Sequence, residues 1–395
     1  MESDPRSGIP RLLVLGAGPA QLGLLEAARA RGLWVAVVDR DPSAPGFRFA
    51  DRRCILSTED ESAIERLVGA LGIEGIISPG TDWPVGVAAR IAERTGLPHP
   101  ISSQTAVLAT NKLRQRERLA EAGVPQPRSW VVGNGDEPPA VAGPVVVKAP
   151  DRQGQKGLTL VVDRAALVPA IETARGAARS GLALVEELVD GPEVTVVGLS
   201  INGAFTALTV TDRITAELPA FGVALAHVWP SLVGGEAAAV AEAAVAALGI
   251  DHGPSYTQLR IGPDGPQVIE VAARLGGGHD AELVEAVLGI DLNGLAIDAA
   301  LGNELVLTHH EPRVGGAVTR FLVAPPGVLE RVEVPEGIEA RIYREPGFVF
   351  TPLRRGADRA GAVLVTAPSR EEALAGADAA ANRVRFVTAD AGALV

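Results

Sequence analysis

A charged, glycine-rich stretch in the last third of the chain combines residue types that bind metal ions and phosphates. Residues 270–280 read EVAARLGGGHD and contain Glu270, Arg274 and the run Gly276–Gly278. A carboxylate suits a hard cation such as Mg²⁺, and a planar guanidinium matches a phosphate or a carboxylate. Backbone N–H groups of a glycine run before a helix favour an anion. The alternative is a glycine-rich turn with solvated charges.

A second oxygen ligand is predicted on the neighbouring strand. Residues 255–274, SYTQLRIGPDGPQVIEVAAR, have the pattern of two strands joined by a turn at PDG. We expect Gln258 and Glu270 to face each other across this hairpin. Mg²⁺ is commonly held by one or two protein oxygens together with substrate phosphates. The hairpin therefore predicts a metal pair, to which His279 or Asp280 could add a ligand from the following turn.

An apolar strand that ends in a lysine and runs into a polar loop predicts a phosphate-binding element. Residues 145–157, VVVKAPDRQGQKG, place Lys148 where an unpaired ammonium would be costly. A glycine loop can direct backbone N–H groups at phosphates, and the lysine supplies a point charge beside them. A surface hairpin with a snorkelling lysine is the alternative. The loop contains Arg152, Gln153, Gly154, Gln155, Lys156 and Gly157.

An acidic segment follows that could hold a nucleoside. In VEELVDGPEVTV, Glu186 and Glu187 end one strand and Glu193 opens the next. A short extended link can offer backbone C=O and N–H groups to a planar base, and a carboxylate can accept from ribose hydroxyls. A charged loop between two strands would account for the same residues without a ligand.

Strand and helix patterns predict the framework that must position these residues. A strand at Leu12–Leu15, a glycine turn, a helix and a strand ending at Asp39 form a βαβ unit, and the alternation continues to about residue 95. Such alternation predicts a parallel sheet with helices on both faces. Residues 105–123 are predicted as one helix. Hairpins, one turning at Asn202–Gly203, then predict antiparallel strands, and the fold class is α/β followed by α+β.

The order of these signals resembles the ATP-grasp superfamily over nearly the whole chain. TNKLRQRERLAEAGVPQP is similar to the helix that precedes the family's linker, and DRAGAVLVTAPSREEALAGADAA is similar to the C-terminal domain of amino-acid ligases and of purine-pathway and biotin-carboxylase relatives. The resemblance implies Gln258 and Glu270 as metal ligands and Arg274 beside the transferred phosphate or the substrate. Implied ATP contacts are Lys112, Lys148, Gln153, Gly154, Gln155, Lys156, Gly157, Glu186, Val189 and Glu193. Candidate substrate contacts are Gly276, Gly277, Gly278, His279 and Asp280.

The resemblance also implies a domain organisation. Residues 1–104 would form a Rossmann-like domain, and residues 105–128 a linking helix and linker. Residues 129–190 would form a lid over the nucleotide, and residues 191–314 the core. Residues 315–395 would form a small C-terminal domain packed on that core.

The activity implied by the resemblance is that of an ATP- and Mg²⁺-dependent carboxylate–amine ligase. A substrate carboxylate would attack the γ-phosphate, and an amine would then attack the acylphosphate to give an amide, ADP and phosphate. An amino acid is the expected carboxylate substrate, with a second amino acid or a small amine as acceptor, and a homodimer is the family's habit. Two positions depart from the family: Gln258 replaces a more common glutamate, and Ala272 a common asparagine. The number of Mg²⁺ ions is therefore left open.

Three alternatives remain at this stage. A purine-pathway relative would use formate or bicarbonate with a ribonucleotide amine, and it would need a basic site such as Arg344, Arg354 and Arg355. An NAD-dependent oxidoreductase would use GAGPAQLG and Asp39 as a dinucleotide site. A non-catalytic nucleotide-binding protein would be compatible with Ala272. His227, Trp229, Tyr256 and His279 are candidate substrate contacts, each equally compatible with a structural role.

Composition argues against several classes of partner. The chain of 395 residues has a net charge of −12 and lacks a dense basic block, which argues against nucleic acid or an anionic membrane as main partner. No apolar run reaches the roughly 18 residues that a membrane span needs. The polar start MESDPRSGIP is not typical of a signal peptide. A single cysteine, Cys54, rules out an intramolecular disulfide, and we expect a cytoplasmic protein.

Overall fold

The computed structural model describes residues 8–308 and 311–389. Its N-terminal part is a four-stranded parallel sheet in the order β3–β2–β1–β4. The elements are β1 (Arg11–Leu15), α1 (Leu22–Ala30), β2 (Trp34–Asp39), β3 (Arg52–Ile55), α2 (Glu61–Leu71), β4 (Gly75–Ile77) and α3 (Asp82–Thr95). Strands β1 and β2 are continuous apolar runs because helices or other elements cover both faces of a parallel sheet.

The glycine turn after β1 is closed by the chain's own polar groups. The buried Gln21 side chain lies against Gly16, where an added Cβ would be 3.0 Å from Gln21 Cδ. The Asp39 carboxylate accepts hydrogen bonds from Ala17 N–H at 2.8 Å and from Asp41 N–H at 2.9 Å. Both oxygens that the dinucleotide alternative would offer to a ribose are therefore already bonded within the turn.

The segment predicted as one helix over residues 105–123 is two helices, α4 (Ser103–Thr110) and α5 (Lys112–Glu121). Asn111 between them is extended, and its side chain accepts from Leu113 N–H and Arg114 N–H. The single-helix prediction is wrong because this asparagine caps a new helix instead of continuing the old one. The break places Lys112 at the start of α5, where its N–H donates to Pro150 O.

The next part is a four-stranded antiparallel sheet, in the order β5–β8–β6–β7, with one helix packed on it. Its core contains Val145, Val147, Ala174 and Val185. Lys148 ends the strand that carries two of these valines, so the apolar packing of the strand determines where the lysine emerges. The elements are β5 (Ser129–Val132), β6 (Val145–Lys148), β7 (Thr159–Val161), α6 (Leu167–Ala177) and β8 (Ala183–Glu187).

The largest sheet has eight antiparallel strands in the order β13–β12–β9–β10–β11–β14–β18–β16. Its first part contains β9 (Glu193–Ile201), β10 (Ala204–Thr215), β11 (Ala224–Trp229), α7 (Ala237–Ala247), β12 (Gly253–Gly262), β13 (Gly265–Ala272), α8 (Asp280–Leu288) and α9 (Leu292–Leu301). The C-terminal part contains β14 (Gly316–Leu322), β15 (Gly327–Glu333), β16 (Ala340–Ile342), β17 (Val349–Phe350), β18 (Gly361–Ala367), α10 (Arg370–Arg383) and β19 (Arg385–Ala389). Since β14 pairs with β11, the C-terminal strands β14, β18 and β16 continue the same sheet.

Helices α8 and α9 join the parallel sheet to the eight-stranded sheet through one apolar core. That core includes Leu12 of β1, Leu24 of α1, Leu199 of β9, Val284 of α8 and Ile297 of α9, all 1% exposed or less. The two sheets are therefore held in a definite relative position. Within residues 8–308 and 311–389, none of the helices has the length and apolar character needed to cross a membrane. The α/β and α+β class predicted from the sequence is confirmed.

Candidate active site

A cleft with a cavity volume of about 120 Å³ lies between the β5–β8 sheet and the first strands of the eight-stranded sheet. Most of the residues predicted to contact ATP or metal line it: Lys112, Lys148, Gln153, Gly154, Gln155, Lys156, Glu186, Val189, Glu193, Gln258 and Glu270. Gly157 is not in this lining, because it packs against α6, where an added Cβ would be 2.8 Å from Ala177 Cβ. Arg274, Gly277 and Gly278 line an adjoining chamber that shares Gln258 and Glu270 with the cleft.

A buried ionic triad forms one wall of the cleft. The Glu186 carboxylate lies 2.5 Å from Lys148 Nζ and 2.7 Å from Arg116 Nε, and all three side chains are at most 6% exposed. Burial acts to raise the pKa of the Glu186 carboxyl, but the two cations outweigh it and hold that pKa below its ordinary value. Both oxygens of the carboxylate are therefore paired with the two cations. A nucleotide base could form hydrogen bonds only with the backbone of Glu186.

Arg116 is absent from the residues predicted to form the site. It lies four positions after Lys112 on α5, so the two basic side chains share one helix face. Arg116 also donates to Ile269 O at 2.7 Å, which ties the triad to β13. The i, i+4 spacing was the available signal, and it is also present in the single helix predicted over residues 105–123.

Of the two predicted metal ligands, Glu270 carries a charge and Gln258 is neutral. Gln258 and Glu270 are direct partners across β12 and β13. The Glu270 carboxylate lies 2.6 Å from Lys112 Nζ. Gln258 Nε2 donates to Glu193 Oε2 at 2.9 Å, so the amide oxygen of Gln258 is the atom left for a cation. Glu193, expected at a ribose, is thus bonded to Gln258 and lies 3.7 Å from Arg213.

The ionised state of Glu270 predicts a pH dependence of stability. Burial acts to raise the pKa of Glu270, but Lys112, Lys148 and Arg274 outweigh it and lower that pKa to about 2 from 4.5. A lowered folded-state pKa adds stability above the unfolded-state value, and this stability is lost as the pH falls towards 2. In urea titrations from pH 5 to pH 2, we expect Glu270→Gln to lose less stability than the unmodified protein. Parallel losses would contradict this assignment.

The loop over residues 153–157 adopts left-handed backbone conformations, and it is hydrogen-bonded to Trp83 and to Gly356. Gly154, Gln155 and Gly157 have φ of +64°, +60° and +70°. Gln153 Oε1 accepts from Trp83 N–H, and Gln155 Oε1 accepts from Gly356 N–H, both at 3.1 Å. The sequence predicted these glutamines as phosphate donors, but their side-chain oxygens anchor the loop. Backbone N–H groups and side-chain amide nitrogens remain for phosphate.

The adjoining chamber carries a salt-bridged arginine and a buried histidine. Arg274 is paired with Asp82 at the start of α3, with Nη2 at 2.5 Å and Nε at 2.6 Å from Asp82 Oδ1. His227 Nδ1 lies 2.7 Å from Asp280 Oδ1. Gly278 N–H donates to Asp280 Oδ2 at 3.1 Å, so this N–H, predicted to meet an anion, is bonded to the chain's own carboxylate.

Gly276 has no room for a side chain. An added Cβ would lie 2.0 Å from Asp280 Oδ2 and 2.7 Å from Tyr256 Cδ2. We expect Gly276→Ala to displace Asp280 and to lower the free energy of unfolding by about 1–3 kcal/mol, as overpacking does. Gly235→Ala is the matched control, because an added Cβ there meets nothing within 4 Å. Urea denaturation of both variants tests this, and equal stabilities would contradict the close packing.

The remaining candidates lie outside these linings. His279 is the N-cap residue of α8, with φ of +60°, and its ring meets the Tyr343 hydroxyl and Arg341 Nη1, the latter at 3.0 Å. Of the arginines considered for a ribose phosphate, Arg344 lies over the Phe348 ring at 4.3 Å, and Arg355 Nη2 donates to Asp358 Oδ1 at 3.4 Å. Arg354 is bonded through its backbone N–H, which donates to Asp358 Oδ2. Within the described part of the chain, no group of three His, Cys, Asp or Glu side chains is arranged to hold a metal.

Several known proteins are similar to this chain in sequence. Residues 320–389 match the family model of the L-amino acid ligase C-terminal domain 2. The chain is 28% identical over 389 residues to the uncharacterized protein y4rH of Sinorhizobium fredii, with 88% of this chain and 77% of that protein covered. It is 27% identical to the formate-dependent phosphoribosylglycinamide formyltransferase of Burkholderia lata, with 98% and 100% covered.

A solved structure shares the whole fold. The L-amino acid ligase from Bacillus licheniformis superposes with a TM-score of 0.80 at 22% identity, covering 96% of this chain and 99% of that one. The resemblance predicted from the order of the motifs is thereby confirmed. The chain resembles ATP-grasp ligases in sequence and shares their fold.

Proposed function

We propose that this ligase joins the carboxylate of an amino acid to an amine through an acylphosphate formed from ATP. The observation that carries the proposal is the convergence of two lysines and a carboxylate–amide pair on one cleft: Lys148, Lys112, Glu270 and Gln258. Phosphoryl transfer requires mainly positioning and charge stabilisation, which these groups supply. The match of the C-terminal residues to an amino-acid ligase domain supports an amino acid as the carboxylate substrate.

In this proposal the adenine lies at the hinge near Val189, and the phosphates lie between the 153–157 loop and the two lysines. The proposed organisation has a Rossmann-like domain (1–104), a linking helix and linker (105–128), the lid (129–190), the core (191–314) and a C-terminal domain (315–395) packed on that core. Residues 1–7, 309–310 and 390–395 of these ranges lie outside the part of the chain that the structure describes. The Arg116–Glu186–Lys148 triad holds the Lys148 ammonium in place, since Glu186 is 2.5 Å from Lys148 and is itself anchored by Arg116. The lid must close during turnover because water would hydrolyse an acylphosphate.

The residues present fit a magnesium ion. Glu270 offers an ionised carboxylate and Gln258 an amide oxygen, on paired strands, and oxygen ligands of this kind suit Mg²⁺. When bound with ATP, Mg²⁺ would offset negative charge on the phosphates. The side chain of Ala272 has no ligand atom.

The chain's own groups then have defined tasks. Lys148 and Lys112 stabilise the charge on the phosphates, and Arg274, held by Asp82, faces the substrate carboxylate in the adjoining chamber. The nucleophile is the substrate carboxylate itself, so no protein nucleophile is required. An amine then displaces phosphate and forms the amide.

The test is phosphate release from Mg-ATP in the presence of mixed amino acids, followed by deconvolution into single pairs. We expect release that depends on at least one amino acid and that yields ADP and a peptide product by mass spectrometry. Absence of release with every amino acid, alone or paired, would count against the proposal.

A second candidate is a ligase of formate or bicarbonate that acts with a ribonucleotide amine. The similarity to the Burkholderia lata formyltransferase spans 98% of this chain and favours it. The contact of Arg344 with the Phe348 ring and the ion pair of Arg355 with Asp358 do not favour it. Phosphate release with formate and a phosphoribosyl amine, but not with amino acids, would select this candidate.

The proposed partners are small molecules, and we propose a cytoplasmic location from the single, buried Cys54. The homodimer remains a prediction. Light scattering of the purified protein at several concentrations would test it, and a monomer mass throughout would exclude it.

A further inference from the structure

An arginine of residues 129–190 lies over a tryptophan of the parallel-sheet part. Arg179, two positions after the end of α6, has its guanidinium carbon 3.8 Å from the centre of the Trp83 ring on α3. Its Nη2 also donates to Glu59 Oε1 at 2.6 Å. The Glu59 side chain is half exposed, and an ion pair of that kind contributes little. The ring is therefore the main partner, because tryptophan attracts a cation more strongly than the other aromatic side chains.

A buried carboxylate fixes Arg179 to the segment that carries the phosphate loop. Asp151 is 7% exposed, and its oxygens accept from Arg179 N–H at 2.9 Å and from Ser180 N–H at 2.7 Å. Arg179 Nη1 donates in turn to Asp151 O at 2.9 Å. Asp151 lies three positions after Lys148 and two before Gln153. The position of Arg179 is thus tied to that of the loop over residues 153–157.

Trp83 meets this part of the chain at a second point. Its backbone N–H donates to Gln153 Oε1 at 3.1 Å. The ring contact and the backbone contact both fall on the first turn of α3, which begins at Asp82. That turn is therefore held from the side of the phosphate loop by a ring stack and a hydrogen bond.

The same turn holds an arginine of the candidate site. Asp82, the residue before Trp83, is 6% exposed and pairs with Arg274 through Nε at 2.6 Å and Nη2 at 2.5 Å. Asp82 and Arg274 both line the chamber that reaches Glu270. Because Asp82 and Trp83 are consecutive in one helical turn, a displacement of the tryptophan displaces the partner of Arg274.

We propose that Arg179 and Trp83 form a latch that holds the lid closed over the ATP site and sets the Asp82–Arg274 pair in place. Both are positioning residues: Arg179 acts through the phosphate loop, and Trp83 acts through Asp82. The inference rests on the proposed ligase function and identifies the contact by which the closed lid protects the intermediate.

A weakened latch has a chemical consequence. A lid that opens more often admits water to the acylphosphate. Attack by one water molecule returns the free acid and phosphate, so one ATP is converted to ADP without formation of an amide. The hydrolysed fraction, defined as phosphate minus amide divided by phosphate, therefore measures closure. A loss of folded enzyme lowers phosphate and amide in proportion and leaves this fraction unchanged.

The experiment measures phosphate and amide in the same reaction, with the acid and amine that the phosphate-release screen identifies. We expect Arg179→Ala to raise the hydrolysed fraction by about 2- to 30-fold, up to its limit of one, since loss of the stack shifts the balance towards the open lid. Arg164→Ala is the matched control, because Arg164 is an exposed arginine of the same lid. It should leave the fraction unchanged.

Conservative variants separate the stack from general packing. Arg179→Lys keeps the charge and Trp83→Phe keeps an aromatic face, and we expect both to lie between the unmodified enzyme and Arg179→Ala. Trp83→Leu removes the face and should match Arg179→Ala. Combining Arg179→Ala with Trp83→Leu should raise the fraction no further than the stronger single change, because the two residues act as one contact. Thermal unfolding of each variant checks that it is folded.

The link to Arg274 is tested by the KM of the acid substrate. We expect Arg179→Ala to raise this KM by about 2- to 30-fold. In an Asp82→Ala background the same change should add no further increase, since Arg274 has already lost its partner. Equal increases in both backgrounds would remove Asp82 from the path.

Other outcomes would overturn the latch itself. An unchanged hydrolysed fraction in folded Arg179→Ala would do so, as would additive effects of Arg179→Ala and Trp83→Leu. Trp83→Phe as impaired as Trp83→Leu would show that the aromatic face is not what matters. These failures occur in an enzyme that forms amide. If the unmodified protein forms no amide with any acid and amine, the proposed function itself fails.

Discussion

Replacing Glu270 with glutamine is expected to reduce ATP-dependent ADP formation by about 100- to 1,000-fold. The carboxylate is ionised, lies 2.6 Å from Lys112 Nζ and is the direct cross-strand partner of Gln258. Gln258 contributes no charge, so the substitution would leave the proposed metal pair with two neutral amides. A preorganised charge of this kind accounts for about 3–4 kcal/mol of transition-state stabilisation, which corresponds to this loss.

The measurement is coupled-enzyme detection of ADP at saturating Mg-ATP and substrates. Glu330→Gln is the matched control, because Glu330 is exposed on β15 and is not among the residues that line the cleft. Thermal unfolding checks that loss of the Lys112 pair has not unfolded the variant. Turnover within tenfold of the unmodified enzyme would exclude Glu270 as an essential ligand. No ADP formation by the unmodified protein with any substrate would instead support the non-catalytic alternative.

Glu186→Ala is expected to cause the largest loss of stability, about 3–5 kcal/mol in the free energy of unfolding. The side chain is 3% exposed and neutralises both Lys148 and Arg116. Its removal leaves two buried cations beside each other without a carboxylate, and an uncompensated buried charge is costly. Urea denaturation at pH 7 measures the loss, with Glu187→Ala as the control because that neighbouring carboxylate is exposed.

A double-mutant cycle distinguishes the ionic explanation from simple loss of packing. Lys148→Met removes one of the two cations and leaves Glu186 paired with Arg116. We expect the combination with Glu186→Ala to be less destabilising than the sum of the single changes, by about 0.5–3 kcal/mol. Additive effects, or a loss below about 1 kcal/mol for Glu186→Ala, would show that the triad does not stabilise the fold as argued.

Much of the candidate site could be predicted because its residues occur in short segments. Lys148 follows an apolar strand, and Glu270, Arg274 and the glycines are nearly contiguous. Arg116, Arg213 and Arg359 were missed as site residues because each reaches the cleft or the chamber from an element with no chemical motif of its own.

Strand register shows most clearly what the sequence determined and what the tertiary structure decided. The residue types and the PDG turn predicted a hairpin with Gln258 on one strand and Glu270 on the other. Strict counting from the Gly262–Gly265 pair at the turn would set Gln258 opposite Ile269, but the register shifts between Gln258 and Leu259 and sets it opposite Glu270. A second shift, between Ala207 and Thr209, sets Arg213 opposite Glu193.

The sequence by itself determined the order of the elements, the two classes of sheet and the residue types of the phosphate and metal site, because these depend on local periodicity and turn chemistry. The tertiary structure decided which charges meet. Lys112 pairs with Glu270, and Arg116 and Lys148 share Glu186. Such partners depend on strand register and on contacts between residues distant in sequence, and a one-residue shift moves a side chain to the opposite face of a sheet.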